Sequence, residues 1–422
     1  MRPLISRRPE LLRATSAHRP GAAVLTRPLR REIARALPER PFALRFWDGS
    51  VVPATVANAP VFHARTPAAL AHFLRSPGEL GLGRAYVQGD LVTDDLDAAF
   101  EVVDGWEPPA VTVSERVRLT LAAVAAAGWA GIPRMPSIEL ILKGERHSAA
   151  RDAAAVRYHY DVGNEFFALF LDASMTYSCA IFSRGAQTLE EAQRTKLELV
   201  ASKLRLAPGQ RVLDVGCGWG SFAIHAATEH GARVVGITLS RSQAELARRR
   251  VAEAGVADQV EIRFADYREL TDGPFDAIAS IGMVEHVGDA QIDRYAATLA
   301  GNLAPGGRLL NHGIATLEAD YDPTDDVFSD RYVFPDGEAL PLSRVQLAVE
   351  RAGLRTTHIE GFAEDYSRTL TEWTRRLDER LDDAERLAGP ERTRIWRLYL
   401  RAARRGFDVG FTSVFQVLAH KP

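Results

Sequence analysis

Val212-Leu-Asp214-Val-Gly216-Cys-Gly218-Trp-Gly220 is the stretch on which the reading of the whole chain turns. Apolar residues lead into an acid, and three glycines then alternate with larger residues. Gly216, Gly218 and Gly220 let the backbone turn tightly and let a ligand approach it closely, as a residue with a side chain would not. No Gly-Lys-Ser/Thr follows, so this is not the lysine type of phosphate loop. With a strand before it and a helix after it, the stretch reads as a nucleotide-binding turn. A turn made only for packing is the plain alternative.

Strands and helices alternate on both sides of that turn, from about Arg151 onward. Apolar strand cores recur at Val234-Val-Gly-Ile237, at Val260, Ile262 and Phe264, at Ala277-Ile-Ala279 and at Leu309-Leu310. Thr188-Leu-Glu-Glu191 has the spacing of a capping box that opens the helix before the first strand. Such alternation predicts an α/β fold, a doubly wound and mostly parallel sheet covered on both faces. Ligands in such sheets bind at the carboxyl ends of the strands. Asp214, two residues ahead of Gly-x-Gly-x-Gly, gives the turn the form used with S-adenosylmethionine. Asp266 follows the third strand, where a carboxylate can accept from an adenine amino group. Asp266-Tyr-Arg-Glu269 reads equally as the cap of a short helix. The second strand ends at Thr238 with no acid for ribose, and Gln243 is either a cofactor ligand or the capping partner of Ser240, with capping weighted more heavily.

At 422 residues the chain suits two or three domains, and 46% hydrophobic with 25% charged residues allows a sizeable core. A formal net charge of −3 gives no field for nucleic acid. Cys179 and Cys217, the two cysteines, exclude a disulfide framework and a four-thiolate zinc site, and suit a reducing cytosol. The apolar run Leu119–Ile132 is shorter than the ~20 residues of a bilayer span, and no secretory signal is visible. Residues 1–45 hold eleven Arg against three Glu, which fits attraction to anionic head groups, a solvated terminus or a transit peptide. Residues 1–140 read as a smaller α+β domain for lipid handling, docking or oligomerisation. It has a hairpin turning at Asp48-Gly49 between Leu44/Phe46 and Val51-Val52, a helix over Pro67–Leu74, a glycine-rich turn over Gly78–Gly83, and a boundary stretch over Glu107–Pro136.

Five further motifs occur in order: Tyr177-Ser178-Cys179, Gly282-Met-Val-Glu285-His286-Val-Gly288, Asn311-His312-Gly-Ile314, Tyr332-Val-Phe-Pro-Asp-Gly337 and Asp365-Tyr366-Ser-Arg-Thr-Leu370. With the glycine turn, Trp373 and Phe415-Gln416-Val417, they resemble the cyclopropane-fatty-acyl-phospholipid synthase family, including mycolic acid cyclopropane synthases and related unsaturated fatty acid methyltransferases. The resemblance covers about residues 150–420, and Gly81-Leu-Gly-Arg-Ala-Tyr86 to Gly89 resembles the N-terminal domain of longer members. It implies a class I, Rossmann-like S-adenosylmethionine methyltransferase domain over 150–422. It also implies methyl transfer to a cis double bond of an unsaturated acyl lipid, then deprotonation by a bound bicarbonate to close a cyclopropane ring.

The resemblance places bicarbonate on Cys179, Glu285, His312, Ile314 and Tyr366, with Cys179 and Ile314 contributing chiefly backbone groups. It places the cofactor on Tyr177, Ser178, Asp214, Gly216, Gly218, Gly220, Thr238, Leu239, Gln243, Asp266 and Tyr267. The implied setting is a cytoplasmic enzyme held peripherally on the anionic inner face of the membrane, with a homodimer left open. Position supports two of these residues independently, since Glu285 follows the fourth strand and His312 ends the fifth. Cys179 is not read as a nucleophile, Cys217 is read as a packing residue, and His286 as structural. No metal is expected, because Glu285, His286 and His312 lack ligand spacing. The acidic segment 318–338 reads as a lid or a solvated loop. The helix with Arg392, Arg394, Arg397, Arg401, Arg404 and Arg405 reads as a solvated face or a head-group contact. Rival readings are a methylene- or methyl-branched acyl product, N-methylation of a small amine, and a non-catalytic lipid-binding protein.

Overall fold

The computed structural model describes residues 22–107, 109–128, 135–318 and 327–422. The arginines of residues 1–21, and Asp320, Asp322, Asp325 and Asp326 of the acidic segment, lie outside the described residues. The chain divides into two compact units between Ser137 and Ile138.

The first unit comprises α1 (Ala22–Ala36), β1 (Ala43–Arg45), β2 (Val51–Val52), β3 (Val61–Ala64), α2 (Ala68–Arg75), α3 (Glu79–Gln88), β4 (Leu91–Thr93), α4 (Leu96–Gly105) and α5 (Val113–Ala127). Its strands lie in the order β2-β1-β3-β4. Leu44 pairs with Val52 across an antiparallel hairpin, and Gly49 takes the φ of 80° that its turn needs. The glycine-rich turn expected over Gly78–Gly83 is instead mostly helix, since α3 opens at Glu79. A Cβ at Gly81 would lie 2.1 Å from the Ser76 carbonyl oxygen, so this glycine serves close packing of α3 on the end of α2. The stretch Glu107–Pro136, read as a boundary, ends beside the division of the two units, and its middle is helical. Thr112 and Glu115 form a capping box that opens α5, and α5 packs on α1.

The second unit runs through α6 (Ala149–Tyr160), α7 (Asn164–Phe167), α8 (Leu189–Leu204), β5 (Arg211–Val215), α9 (Ser221–His230), β6 (Arg233–Thr238), α10 (Arg241–Glu253), β7 (Val260–Phe264), β8 (Phe275–Ile281), α11 (Ile292–Asn302) and β9 (Leu303–Thr316). It closes with α12 (Val327–Tyr332), α13 (Leu342–Arg351), β10 (Arg355–Gly361), α14 (Ala363–Asp378), α15 (Leu381–Asp408) and β11 (Thr412–His420). The sheet order is β10-β11-β9-β8-β5-β6-β7. Neighbours from β9 to β7 pair in parallel, whereas β11 is antiparallel to both β9 and β10. The five strand cores read from the sequence fall in β5 to β9, and the Thr188/Glu191 capping box opens α8. This is the class I methyltransferase fold. Strand order reverses between β5 and β8, which sets the crevice at the carboxyl ends of these two strands.

One apolar cluster lies apart from those that pack on the two faces of the sheet. It gathers Phe166, Phe167, Phe170, Trp219, Trp373 and Trp396, with Cys179 and Ile181 of the segment before α8. Asp365 of α14 ties that segment down. Its carboxylate accepts from the backbone N–H groups of Phe182 and Ser183, at 2.6 and 2.8 Å, and from the Ser183 hydroxyl at 2.7 Å. Removing it strands the buried Phe182 N–H and frees the partly buried Ser183 N–H, so Asp365→Ala is expected to cost about 3 kcal/mol in urea denaturation. A loss below about 1 kcal/mol would show that the segment is held by its aromatic contacts alone.

Candidate active site

The three glycines of the turn have φ of 76°, 53° and 83°, a left-handed backbone that side chains disfavour. A Cβ at Gly216 would meet the Met283 side chain at 3.3 Å, whereas one at Gly218 would meet nothing within 4 Å. Gly218 therefore faces open space, the property a ligand-facing glycine needs. Asp214 closes β5 at 2% exposure, and its Oδ2 has no protein hydrogen-bond partner among the described residues. Burial pushes its carboxyl up to about 7, opposed by the nearby Lys196. Lys196 of α8 is itself buried and donates to the Ser178 hydroxyl at 2.8 Å, and burial brings its amine down to about 8.

Tyr177, Ser178, Asp214, Gly216, Gly218 and Gln243 line one cleft with Tyr160, Lys196, Trp219 and Gly282. The cleft encloses about 50 Å³. Gly220 caps α9, Leu239 is half-buried, and Thr238 donates to the Gln243 side-chain oxygen at 2.8 Å. The capping role expected of Gln243 belongs to its backbone N–H, which donates to the Ser240 hydroxyl, while its side chain turns toward Thr238. Asp266 and Tyr267 do not line the cleft. Asp266 caps a short 3-10 turn and is ion-paired with Arg268 at 2.6 Å, beside a separate cavity of about 260 Å³.

The expected bicarbonate residues meet at the same edge of the sheet. Glu285 lies in the turn after β8, and its Oε1 accepts from the Ile314 backbone N–H at 2.7 Å, so the backbone group expected to face bicarbonate here holds Glu285 instead. Its Oε2 is buried and has no protein partner among the described residues. Burial drives this carboxyl up to about 7. His312 sits within β9 opposite Ile281, because β9 runs on to Thr316. Its imidazole is 1% exposed, burial holds it neutral with a pKa near 3, and its Nε2 has no protein partner among the described residues. Tyr366 of α14 packs on Trp373 and Phe407 and lies within electrostatic range of Cys179, Glu285, Tyr160 and Tyr399. Cys179 is fully buried and burial raises its thiol well above the usual value, which agrees with its rejection as a nucleophile. Cys217 packs between strands, near Gly236.

Aromatic rings wall this edge. Tyr177 contacts Phe167, His159 and Trp373 with ring centroids 5.3, 5.7 and 5.2 Å apart, and Tyr160 and Trp219 meet edge to face. His286 stacks on Phe334, the structural role expected of it. Among the described residues one His/carboxylate group has metal-compatible spacing, Glu198 with His225 and His230, and both imidazoles already bond the carboxylate there. The arginine-rich stretch of α15 is not a uniformly solvated face. Arg397 and Arg401 both pair with Asp378, and Arg401 is 4% exposed. Sequence reasoning missed Lys196, Tyr160 and Tyr399 at the site. For Lys196 a signal existed: with Gln193 it falls on the stripe Leu189, Ala192, Leu197 and Val200 that α8 buries.

The raised Glu285 carboxyl sets a pH dependence. Its folded value lies above the unfolded one, so burial carries no charge penalty at low pH. Stability is then lost as pH rises from about 4.5 through about 7. Glu285→Gln has no such loss. In ligand-free, bicarbonate-free protein its stability relative to wild type should therefore rise by roughly 2–3 kcal/mol between pH 5 and 8 in urea denaturation. A difference independent of pH would contradict the burial of a lone carboxyl here.

Comparison with known proteins agrees with this geometry. The mycolic acid cyclopropane synthetase family model matches residues 147–417. A probable fatty acid methyltransferase of Mycobacterium tuberculosis is 37% identical over 403 residues, covering 92% of this chain and 93% of the relative. The cyclopropane-fatty-acyl-phospholipid synthase of Escherichia coli K12 is 33% identical over 346 residues, covering 81% and 83%. The solved mycolic acid cyclopropane synthase CmaA1, complexed with SAH and CTAB, superposes with a TM-score of 0.61 at 32% identity, covering 64% of this chain and 98% of that one. With a family model matched over most of its length, relatives alike nearly end to end and the fold of a solved synthase, the chain belongs to the mycolic acid cyclopropane synthetase family of S-adenosylmethionine-dependent lipid methyltransferases.

Proposed function

We propose that the enzyme transfers the methyl group of S-adenosylmethionine to the cis double bond of an unsaturated acyl chain in phospholipid and closes a cyclopropane ring. The observation that carries this reading is that Glu285 Oε2 and His312 Nε2, both buried, have no protein partner among the described residues and stand beside an aromatic-walled cleft. When bound, S-adenosylmethionine supplies an electrophilic methyl group, and bicarbonate supplies the acceptor for the proton that ring closure releases. The donor set fits such an anion: a carboxylate oxygen to accept a hydrogen bond from its hydroxyl, and a neutral imidazole N–H and the Tyr366 hydroxyl to donate to its oxygens. Gly218 and the cleft residues around Asp214 fit the cofactor. Tyr160, Tyr177, Trp219 and Trp373 exclude water and present ring faces to the positive charge that develops on the acyl chain.

A second product has an observation of its own. Two relatives alike over nearly the whole chain, at 37% and 36% identity, are named as probable fatty acid methyltransferases, names that specify no ring and leave a methylene- or methyl-branched product of the same methyl transfer as the second reading. Binding to an anionic membrane surface is also part of the proposal. No helix among the described residues is long and apolar enough to cross a membrane. In the first unit, Val113, Val117, Leu121 and Val124 form an exposed apolar stripe along α5, at 79%, 51%, 66% and 42% exposure. Such a stripe suits burial at the head-group boundary.

Glu285→Gln keeps size and shape but loses the carboxylate. Turnover of a cis-unsaturated phospholipid should fall roughly tenfold to over a hundredfold, with S-adenosylmethionine affinity kept, and bicarbonate-free buffer should slow wild type more than the variant. Unchanged turnover with no response to bicarbonate would remove the proposed base, and weakened cofactor binding would reassign Glu285 to the cofactor. Sedimentation with vesicles should show binding to anionic bilayers that weakens as salt rises. Equal binding to neutral and anionic vesicles would contradict an electrostatic contribution.

A further inference from the structure

We propose that Gln416 is a positioning residue that fixes the tautomer of His312, and that Lys203 and Glu360 hold Gln416 in the orientation that does so. The inference rests on reading His312 as an anchor of the proton-accepting anion. It begins in the register of the sheet. Gln416 of β11 lies directly opposite His312 of β9 on one side and Glu360 of β10 on the other. Directly opposed residues send their side chains to the same face, so Glu360, Gln416 and His312 form a row across three strands. Lys203 reaches the row from the last turn of α8.

The polarity of the row follows from what each group can do. The Lys203 ammonium has donors only, and it contacts Glu360 Oε2 at 2.6 Å and the Gln416 side-chain oxygen at 2.5 Å. The Gln416 oxygen therefore faces Lys203, and its NH₂ group faces His312 Nδ1 at 3.2 Å. An NH₂ donor needs a bare nitrogen to accept it. A neutral imidazole whose Nδ1 accepts carries its proton on Nε2. Burial keeps His312 neutral, so the two-nitrogen cation is not an alternative. The N–H thus sits on the one ring nitrogen that has no protein partner among the described residues, as a donor ready for an oxygen of an anion. Gln416 is wholly buried, so water does not compete for its amide. Without this row, only the ring's weak intrinsic preference for Nε2–H remains, and the fraction with Nε2 bare would turn a lone pair toward the anion.

The test uses the full chain with ring ¹⁵N-labelled histidine, the His312 signals being assigned by their loss in His312→Gln. In wild type, Nε2 should carry the proton and Nδ1 should be bare. Gln416→Glu puts an acceptor beside Nδ1 and should move the proton to Nδ1. Its turnover should fall about a hundredfold or more, as a wrong tautomer does elsewhere, with S-adenosylmethionine affinity within about twofold of wild type. Gln416→Leu should cost roughly tenfold in turnover and leave a mixture of tautomers. Lys203→Met, at the rim of the row, should lower turnover and mix the tautomers while leaving Gln416 in place, which keeps the test open if a Gln416 variant fails to fold. A wild-type signal with the proton on Nδ1, or Gln416→Glu with unchanged tautomer and turnover, would overturn the proposal. Normal turnover in His312→Ala would instead overturn the anchor reading on which it rests, whatever the tautomer.

Discussion

Among the buried polar atoms that have no protein partner among the described residues, Glu285 Oε2 and His312 Nε2 set the constraint on which the site depends. An unsatisfied buried polar group costs about 1–3 kcal/mol, and such cost persists only where the surroundings over-determine the geometry. Here they do. Glu285 is held through its other oxygen by the Ile314 backbone, and His312 through its other nitrogen by Gln416. Both residues stand at the carboxyl edge of parallel strands, where the crossover connections leave room for a ligand. A ligand that supplies one donor and one acceptor at that edge relieves both deficits at once.

The aromatic cluster makes those deficits consequential. Phe166, Phe167, Trp373 and Trp396 are almost wholly buried and keep the local dielectric low. In such surroundings a carboxyl drifts toward neutral pH, as Glu285 and Asp214 do, and an imidazole stays uncharged, as His312 does. The same walls suit a reaction that places positive charge on an acyl chain and that water would divert. Lys196 and Asp214 extend this logic to the cofactor side: each is buried near an opposite charge, in a cleft whose glycine turn offers bare backbone.

The parts of this arrangement legible in the sequence were those written in local pattern. Apolar strand cores, the Thr188/Glu191 capping box and the glycine turn each depend on residues close in the chain, and each stands where its pattern put it. Glu285 and His312 were legible because strand ends locate the ligand edge. β10 was not, since Arg355–Gly361 is an edge strand with hardly any buried residue and so no apolar run. The Gly78–Gly83 segment misled because Gly81 serves a close helix contact, which composition does not distinguish from a turn. The row from Glu360 through Gln416 to His312 joins residues distant in sequence and exists only through strand register. The same is true of the pairing with Asp378, which withdraws Arg397 and Arg401 from a charge run that read as a solvated face.

The central claim is that the methyl group of S-adenosylmethionine is delivered to an alkene carbon of an acyl chain and then loses a proton to close a ring. Feeding the purified enzyme methyl-trideuterated S-adenosylmethionine and a cis-unsaturated phospholipid, and analysing the acyl products by mass spectrometry, tests it most directly. The account predicts a product that retains two of the three deuterium atoms and contains no double bond. Retention of all three would show that the delivered methyl loses no deuteron and that the product is methyl-branched, and two with a double bond would mean a methylene branch. No label in the lipid would contradict methyl transfer to the acyl chain altogether.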